Sequence, residues 1–493
     1  MILIKMKLLC LIVMLTVVCI KSSRITQVQI DPTSVKETIS ERFLSVTIDS
    51  AYVHANWSAL ALSSNKIQVL ARALRPCYLR VGGTEADFLQ FNTSSEVDDH
   101  QINNLSSNLF VQNKLKNITL TVRQWDELNQ FAELVEWDMI FDLNSLRRKD
   151  GQWLPDQAKE LMDYTSKKGY KLAGWELGNE PDVYYVIGYN ISGVQRAKDY
   201  FILKNLLMQY PQWRNSIVIG PSVTMLGKDI SRVYLNDFLK FGGPDVVTNP
   251  NFHHYYEPGS VMTVAKFMEP SILNNLPYQI NIAKQMGPYP LYGKVWLGET
   301  SSAYGGGRKG MTDRYVASFM WLDKLGISAS LGVGCVVRQT FYGGNYGLID
   351  TNTLDPNPDY WLSYIFKILV GQSVFNVKTG DEYVRMYAHC TNRNRTSYKP
   401  GSITVYGMNL RNEPTSVVFP QFKSELHLYL IEPVGAEGLL SQTIALNGRT
   451  LELKQDLTFP KIDNPEIVTG NFTMPQQSFG FIVLPNANVA SCL

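Results

Sequence analysis

Between Phe43 and Tyr342 one pattern recurs: a short apolar or β-branched run, followed in most cases by a stretch with helical spacing. Eight runs can be read: "FLSVTID" to Asp49, "CYLRVGGT" to Thr84, "DMIFDLN" to Asn144, "LAGWELGNE" to Glu180, "SIVIGPS" to Ser222, "VVTNPNFHHYY" around His253, "KVWLGE" to Glu299 and "GCVVRQTFY" around Gln339. Strands alternating with helices predict an α/β fold with a parallel sheet, here a (β/α)8 TIM barrel. An open doubly wound sheet would show much the same periodicity, but eight units in about 250 residues match the usual barrel size. Nearly every run ends in a polar or charged residue, and in such barrels the C-terminal ends of the strands carry the active site.

From about Phe375 the helical spacing stops. "EYVRMYAHC", "GSITVYGMNL", "ELHLYLIEP", "RTLELKQD" and "SFGFIVLP" alternate with period two between Gly, Pro and Asn turns, which predicts a C-terminal antiparallel β-sandwich. "RITQVQIDP", ahead of the first barrel run, alternates as well and is expected to add a strand to that sandwich. The expected organisation is a leader over 1–20, an N-terminal strand segment over 21–40, a barrel over 41–374 and a sandwich over 375–493. Residues 91–117, polar and aperiodic, read as a surface insertion after the second strand.

The leader places Lys5 and Lys7 before a run from Leu8 to Ile20 that is apolar except for Thr16, short for a membrane span and flanked like a signal peptide. No later segment has spanning length, so a secreted or lysosomal mature chain without a transmembrane segment is expected. Seven Asn-x-Ser/Thr sequons, at Asn56, Asn92, Asn104, Asn117, Asn190, Asn394 and Asn471, fit that route. A net charge of +2 over 493 residues is no polycation, so nucleic acid is not an expected partner. Outside the leader stand Cys77, Cys335, Cys390 and Cys492, which allow three full pairings. Cys77 and Cys335 sit inside strand-like runs and read as buried hydrophobes, while a disulfide between Cys390 and Cys492 is expected to tie the chain end back.

The chemistry concentrates in two carboxylates. In "GWELGNEPDVYY", Glu176 and Glu180 lie four apart; Pro181 ends the strand beyond Glu180, which puts Glu180 at the mouth beside Asn179 and Glu176 deeper. Glu299 closes the seventh run in the same way. Carboxylates on the fourth and seventh strands face each other across a barrel mouth, as glycoside cleavage requires; a retaining pair stands about 5–5.5 Å apart. Proximity separates their pKa values, so Glu180 is expected as acid/base and Glu299 as nucleophile. Pairing of either Glu with Arg80 or Arg338 is the structural alternative. "FHHYY" does not read as a metal pair, because adjacent strand residues face opposite ways. "GGGRKGM" lacks the phosphate-loop lysine, and no HExxH, CxxC or G-x-S-x-G is present. No metal and no cofactor are expected.

At these residues the sequence resembles the heparanase family, glycoside hydrolase family 79, which also includes leech-type hyaluronidases. The resemblance runs from "FLSVTID" through "YLRVGGT", "WELGNEP", "HHYY", "WLGETSSAYGGG" and "DPNPDYW" to "ANVASC". It implies a retaining endo-β-glucuronidase with Glu180 as proton donor and Glu299 as nucleophile. Substrate contacts are implied at Asp49, Thr84, Asn179, His253, Tyr255, Tyr304, Gly305, Gly306, Gln339 and Tyr346. The Cys390–Cys492 disulfide and a sandwich built from both chain ends are implied as well.

Departures from the family pattern bear on substrate. Lys114 and Lys116 of "NKLKN" match basic residues that grip sulfated polymer, but a second basic cluster is thinned to Lys228 and Arg232, and Ser260 replaces an arginine. The loop "RQTFYGGNYGLID" is also close to the leech form. The expected partner is a glycosaminoglycan polymer, with heparan sulfate first and hyaluronan second; a non-catalytic glycosaminoglycan-binding protein is the third reading. The insertion is shorter than the linker that family members excise, so a single uncut chain is expected; a monomer is expected as well.

Overall fold

The computed structural model describes residues 24–55, 57, 60–93, 117–286 and 293–493. The leader, most of the insertion, Asn56, Asn104, Lys114 and Lys116 lie outside the described residues. Eight strands close into a parallel barrel in sequence order: β1 (Leu44–Asp49), β2 (Cys77–Gly82), β3 (Trp137–Leu143), β4 (Leu172–Leu177), β5 (Ile217–Val223), β6 (Asn249–His254), β7 (Trp296–Thr300) and β8 (Cys335–Arg338), with β8 returning to β1. Each lies within one of the eight apolar runs or oversteps it by a single residue at one end. The open-sheet alternative is thereby excluded, since both edges are paired.

The outer helices follow from their stripes. The helix Val122–Leu134 starts in a capping box, with Thr121 accepting from the Gln124 backbone and Gln124 reaching back, and it buries Trp125, Leu128 and Phe131. The helix Ala317–Ser330 is buried almost all round, because the barrel lies on one side and the second domain on the other. Its Asp323 accepts hydrogen bonds from Arg385 (2.6 Å) and Tyr387 (2.5 Å), an ionic tie between the two domains.

Inside, the barrel changes character along its axis. Its N-terminal layer is apolar, with Ile140, Ile219, Trp296, Cys335 and Val337 in one cluster. One layer up lie the buried Arg80, Asp142, Glu176 and Asn251, and the mouth sits above them.

Beyond the barrel, β9 (Val370–Lys378), β10 (Val384–Thr391), β11 (Ile403–Asn409), β12 (Glu425–Pro433) and β13 (Ser478–Leu484) form most of a large sheet in the order β9-β10-β11-β13-β12. A second, three-stranded sheet joins Arg24–Gln27, Thr415–Val418 and Asn471–Met474. Val28, Phe375, Val405, Val417, Phe472 and Ile482 pack in the core between the two. The early segment divides between the sheets: Arg24–Gln27 pairs with Thr415–Val418, and Gln29–Asp31 pairs with β9.

One expected strand is largely absent. In "RTLELKQD" only Arg449–Thr450 is extended in the sheet, because the backbone then turns, with Leu457 N donating to Lys454 O and Lys454 N to Thr458 O. Conversely, the strands at 415–418 and 471–474 go beyond the pattern reading, because four residues each are too few to mark a period and the first is buried at three successive positions. Cys390 and Cys492 form a disulfide, and Cys77 and Cys335 are free and buried.

Candidate active site

The turn after β4 builds one half of the mouth. Glu176 stays inside the barrel, fully buried, where its carboxylate accepts from Arg80 Nε (2.6 Å), Asn251 Nδ2 (3.0 Å) and the Ser222 hydroxyl. Gly178 then takes φ +73°, and a Cβ there would fall 2.3 Å from Ser145 Oγ and 2.5 Å from Tyr184 Oη, so only glycine fits. Asn179 turns its Oδ1 to Arg80 Nη2 (2.8 Å) while its backbone N–H donates to Asp87 (3.0 Å). Glu180 adopts a left-handed conformation, φ 52° and ψ 52°, a strain of about 1–3 kcal/mol for a residue with a Cβ. A hydrogen bond from Glu180 N to Ser222 O (2.9 Å) holds that conformation. Its side chain is left partly exposed, with Oε1 3.0 Å from His253 Nδ1.

Glu299 reaches the same spot through a break in strand register. Phe252 pairs with Leu297 and His253 with Glu299, so two residues of β7 oppose one of β6, and Gly298 is the extra one. A Cβ on Gly298 would fall 2.3 Å from Asn251 Nδ2. Strict alternation would have sent Glu299 outward; the bulge turns it in beside His253. Glu299 Oε1 accepts from Tyr255 Oη (2.6 Å) and Oε2 from Arg80 Nη1 (2.7 Å).

One carboxylate oxygen of Glu180, one of Glu299 and a ring nitrogen of His253 all lie within 4.8 Å of one another. Three such donors could in principle surround a cation. Arg80, already bonded to Glu299, supplies the positive charge in this case, and His253 occupies Glu180.

The two carboxyls are pushed apart electrostatically. Desolvation in the mouth raises Glu180 above the usual carboxylate range, and the His253 contact only partly offsets it. Burial would raise Glu299 too, but the charges of His253 and Arg80 and the hydrogen bonds from Tyr255 and Arg80 outweigh it and hold Glu299 below that range. His253 is itself raised: burial opposes its protonation, and Glu299 and Glu180 favour it more strongly.

The remaining predicted contacts gather round this pair. Asp49, at the end of β1, accepts from Ala51 N (2.9 Å) and Gln339 Nε2 (3.3 Å), and burial pushes its carboxyl up to about 6. Tyr346 and Tyr304 flank Tyr255, with ring centroids 6.5 Å and 6.4 Å away. Gly305 and Gly306 follow Tyr304 with positive φ, and Gly306 O accepts from Asn345 N (2.8 Å), joining the loops after β7 and β8. Thr84 opens a short 3-10 turn after β2. His254 faces away, its Nδ1 3.0 Å from Lys324 Nζ, so one histidine of the pair lines the mouth. Of the two arginines considered as structural partners, Arg338 pairs with Asp359 (2.8 Å) and Arg80 with Glu299.

Two residues were missed as site components. Arg80 connects Glu176, Asn179 and Glu299 from a fully buried position. Its signal was legible, a cation inside the apolar run "CYLRVGG" that demands buried carboxylates. Glu85, in the turn after Thr84, is pushed up to about 8 by burial and then by Asp49, and nothing in its sequence neighbourhood marks it.

A closed parallel barrel with two close carboxylates at its mouth is an arrangement that glycoside hydrolases use. The profile of Glycosyl hydrolase family 79, N-terminal domain, matches residues 26–326, and the chain belongs to that family. It is similar to heparanase of Rattus norvegicus, 37% identical with 93% of this chain and 92% of that protein covered. It is also similar to the hyaluronoglucuronidase of Hirudo nipponia, 33% identical with 94% and 99% covered. Among solved structures, a 4-O-α-L-rhamnosyl-β-D-glucuronidase from Fusarium oxysporum shares the fold, with TM-score 0.67, 14% identity, and 93% and 100% covered.

Proposed function

We propose that this hydrolase is an exported or lysosomal retaining endo-β-glucuronidase that cleaves internal glucuronic acid linkages of an extracellular-matrix glycosaminoglycan. In that reading Glu299 attacks the anomeric carbon as Glu180 protonates the departing oxygen; Glu180 then takes a proton from water, which releases the sugar from Glu299. The observation that carries it is that a carboxylate oxygen of Glu180 and one of Glu299 lie within 4.8 Å of each other, nearer the separation of a retaining pair, about 5–5.5 Å, than that of an inverting pair, about 6.5–9.5 Å. The opposite displacement of their pKa values supports the division of labour. Relatives named heparanase and hyaluronoglucuronidase support the uronic acid linkage and the polymeric substrate. Export agrees with the sequons and with the lack, among the described residues, of any helix long and apolar enough to cross a membrane.

A binding protein without catalysis would not need a carboxyl held down beside one held up. The test is the anomeric configuration of the first product, followed by NMR on an aryl β-glucuronide and on polymer. A β-configured product, with turnover lost in Glu180→Gln and Glu299→Gln, is the expected result. An α-configured product ends the retaining reading, and normal turnover in either variant ends the site.

A further inference from the structure

The short helix that leaves the acid carries an unused surface. Pro181–Ile187 is a 3-10 helix beginning one residue after Glu180. Tyr184 points inward, its hydroxyl donating to Asp87 (2.6 Å) and lying 2.8 Å from Ser145 Oγ, and Ile187 packs against the core. With Tyr184 buried and Ile187 partly buried at the three-residue period, the intervening side chains face outward. Tyr185 is 61% exposed, Val186 72% and Tyr189 42%.

Exposed apolar groups clustered this closely, on the turn that directly follows the proposed acid at the C-terminal face of the barrel, are a candidate binding surface. The face is also uncharged. Residues 181–192 contain no Lys, Arg or His, and their one acid, Asp182, is buried against Thr224. The neighbouring fifth loop adds Lys228, whereas Arg232 is engaged by Asp229 and the Leu226 carbonyl. A sulfated sugar laid on this helix would lose water from its oxyanions and find no arginine fork to replace it.

We propose that Tyr185, Val186 and Tyr189 form a platform for the leaving-group side of the polymer, and that it takes the apolar face of an unsulfated N-acetylhexosamine, as hyaluronan presents. This rests on the glucuronidase reading, since Glu180 as acid fixes which side the leaving group occupies. Tyr185 lies five residue steps of 3-10 rise beyond Glu180, about 10 Å, within reach of the first sugars beyond the scissile bond. The inference reverses the preference for heparan sulfate that the lysine pair in the insertion suggests.

The experiment compares kcat/KM on hyaluronan, heparan sulfate and 4-nitrophenyl β-glucuronide, which lacks sugars on the leaving side. In Tyr185→Ala/Tyr189→Ala, the ratio of hyaluronan to nitrophenyl turnover should fall about tenfold, chiefly through KM, with the thermal midpoint retained. Val186→Lys should shift the ratio of heparan sulfate to hyaluronan turnover upward severalfold. Unchanged ratios in both variants overturn the platform. So does a steep gain in polymer turnover in Asn190→Gln, which would mean that a glycan on the adjacent sequon covers the patch. If the unsubstituted enzyme leaves all three substrates intact, the glucuronidase reading itself fails.

Discussion

Arg80 Nη1 stands 2.7 Å from Glu299 Oε2 while the same guanidinium holds Glu176 through Nε at 2.6 Å, so one buried cation sets both the position and the charge of the proposed nucleophile. A lysine cannot reproduce that fork. Arg80→Lys should lower kcat by about 10²–10³, the usual cost of removing a preorganised charged donor from a reacting group. It should also let the Glu299 carboxyl rise, moving the acidic limb of the pH–rate profile to higher pH. Steady-state rates across pH check both, and an unmoved acidic limb would contradict the role given to Arg80.

His253 touches Glu180 and charges the space beside Glu299, lowering both carboxyls. The profile should be a bell, with the acidic limb from Glu299 and the alkaline limb from Glu180. His253→Asn removes the charge, so both limbs should move to higher pH together. Movement of one limb alone would show that His253 serves a single carboxylate.

Asp49 and Glu85 are acids whose folded-state values lie above their ordinary ones, near 6 and near 8, with burial the main cause of each. The folded protein therefore holds protons that the unfolded chain has released. Their stabilising contribution is complete below about pH 4, the ordinary carboxylate range, and is lost as pH rises through 6 for Asp49 and 8 for Glu85. Glu85→Gln should flatten the fall in thermal midpoint between pH 5 and pH 8 and raise the midpoint at pH 8. Parallel melting curves for parent and variant at every pH would refute this.

The Cys390–Cys492 bond closes a loop of 102 residues around the sandwich. Replacing both cysteines with serine should destabilise the protein by about 2–5 kcal/mol, the range for loss of a native disulfide. Turnover below the new melting temperature should stay at the parent level, because the bond joins β10 to the C-terminal turn, away from Glu180 and Glu299. Chemical denaturation with matched kinetics provides the measurement.

The barrel was legible because its strands are continuous apolar runs with charged ends, and a closed parallel sheet buries both faces of each strand. The two glutamates were legible for the same reason: each terminates such a run. What pattern alone could not supply was the orientation of Glu299, which depends on the bulge at Gly298, and the left-handed turn at Glu180, which depends on a hydrogen bond to Ser222. Both are long-range contacts with no local signature. The segment "RTLELKQD" misleads because its two-residue spacing continues through Leu453 while the last backbone bond to the sheet is that of Leu451 N to Ile444 O.

The division of the early segment between two sheets sets the order in which the molecule can mature. Arg24–Asp31 leaves the ribosome ahead of the whole barrel, yet its hydrogen-bonding partners lie at 376–378 and 415–418. At translation speeds of about 5–20 residues per second, that strand waits roughly half a minute before a neighbour exists. Throughout that interval its edges are open to pairing with other chains. A product cut short before Thr415 would leave it unpaired on one side for good.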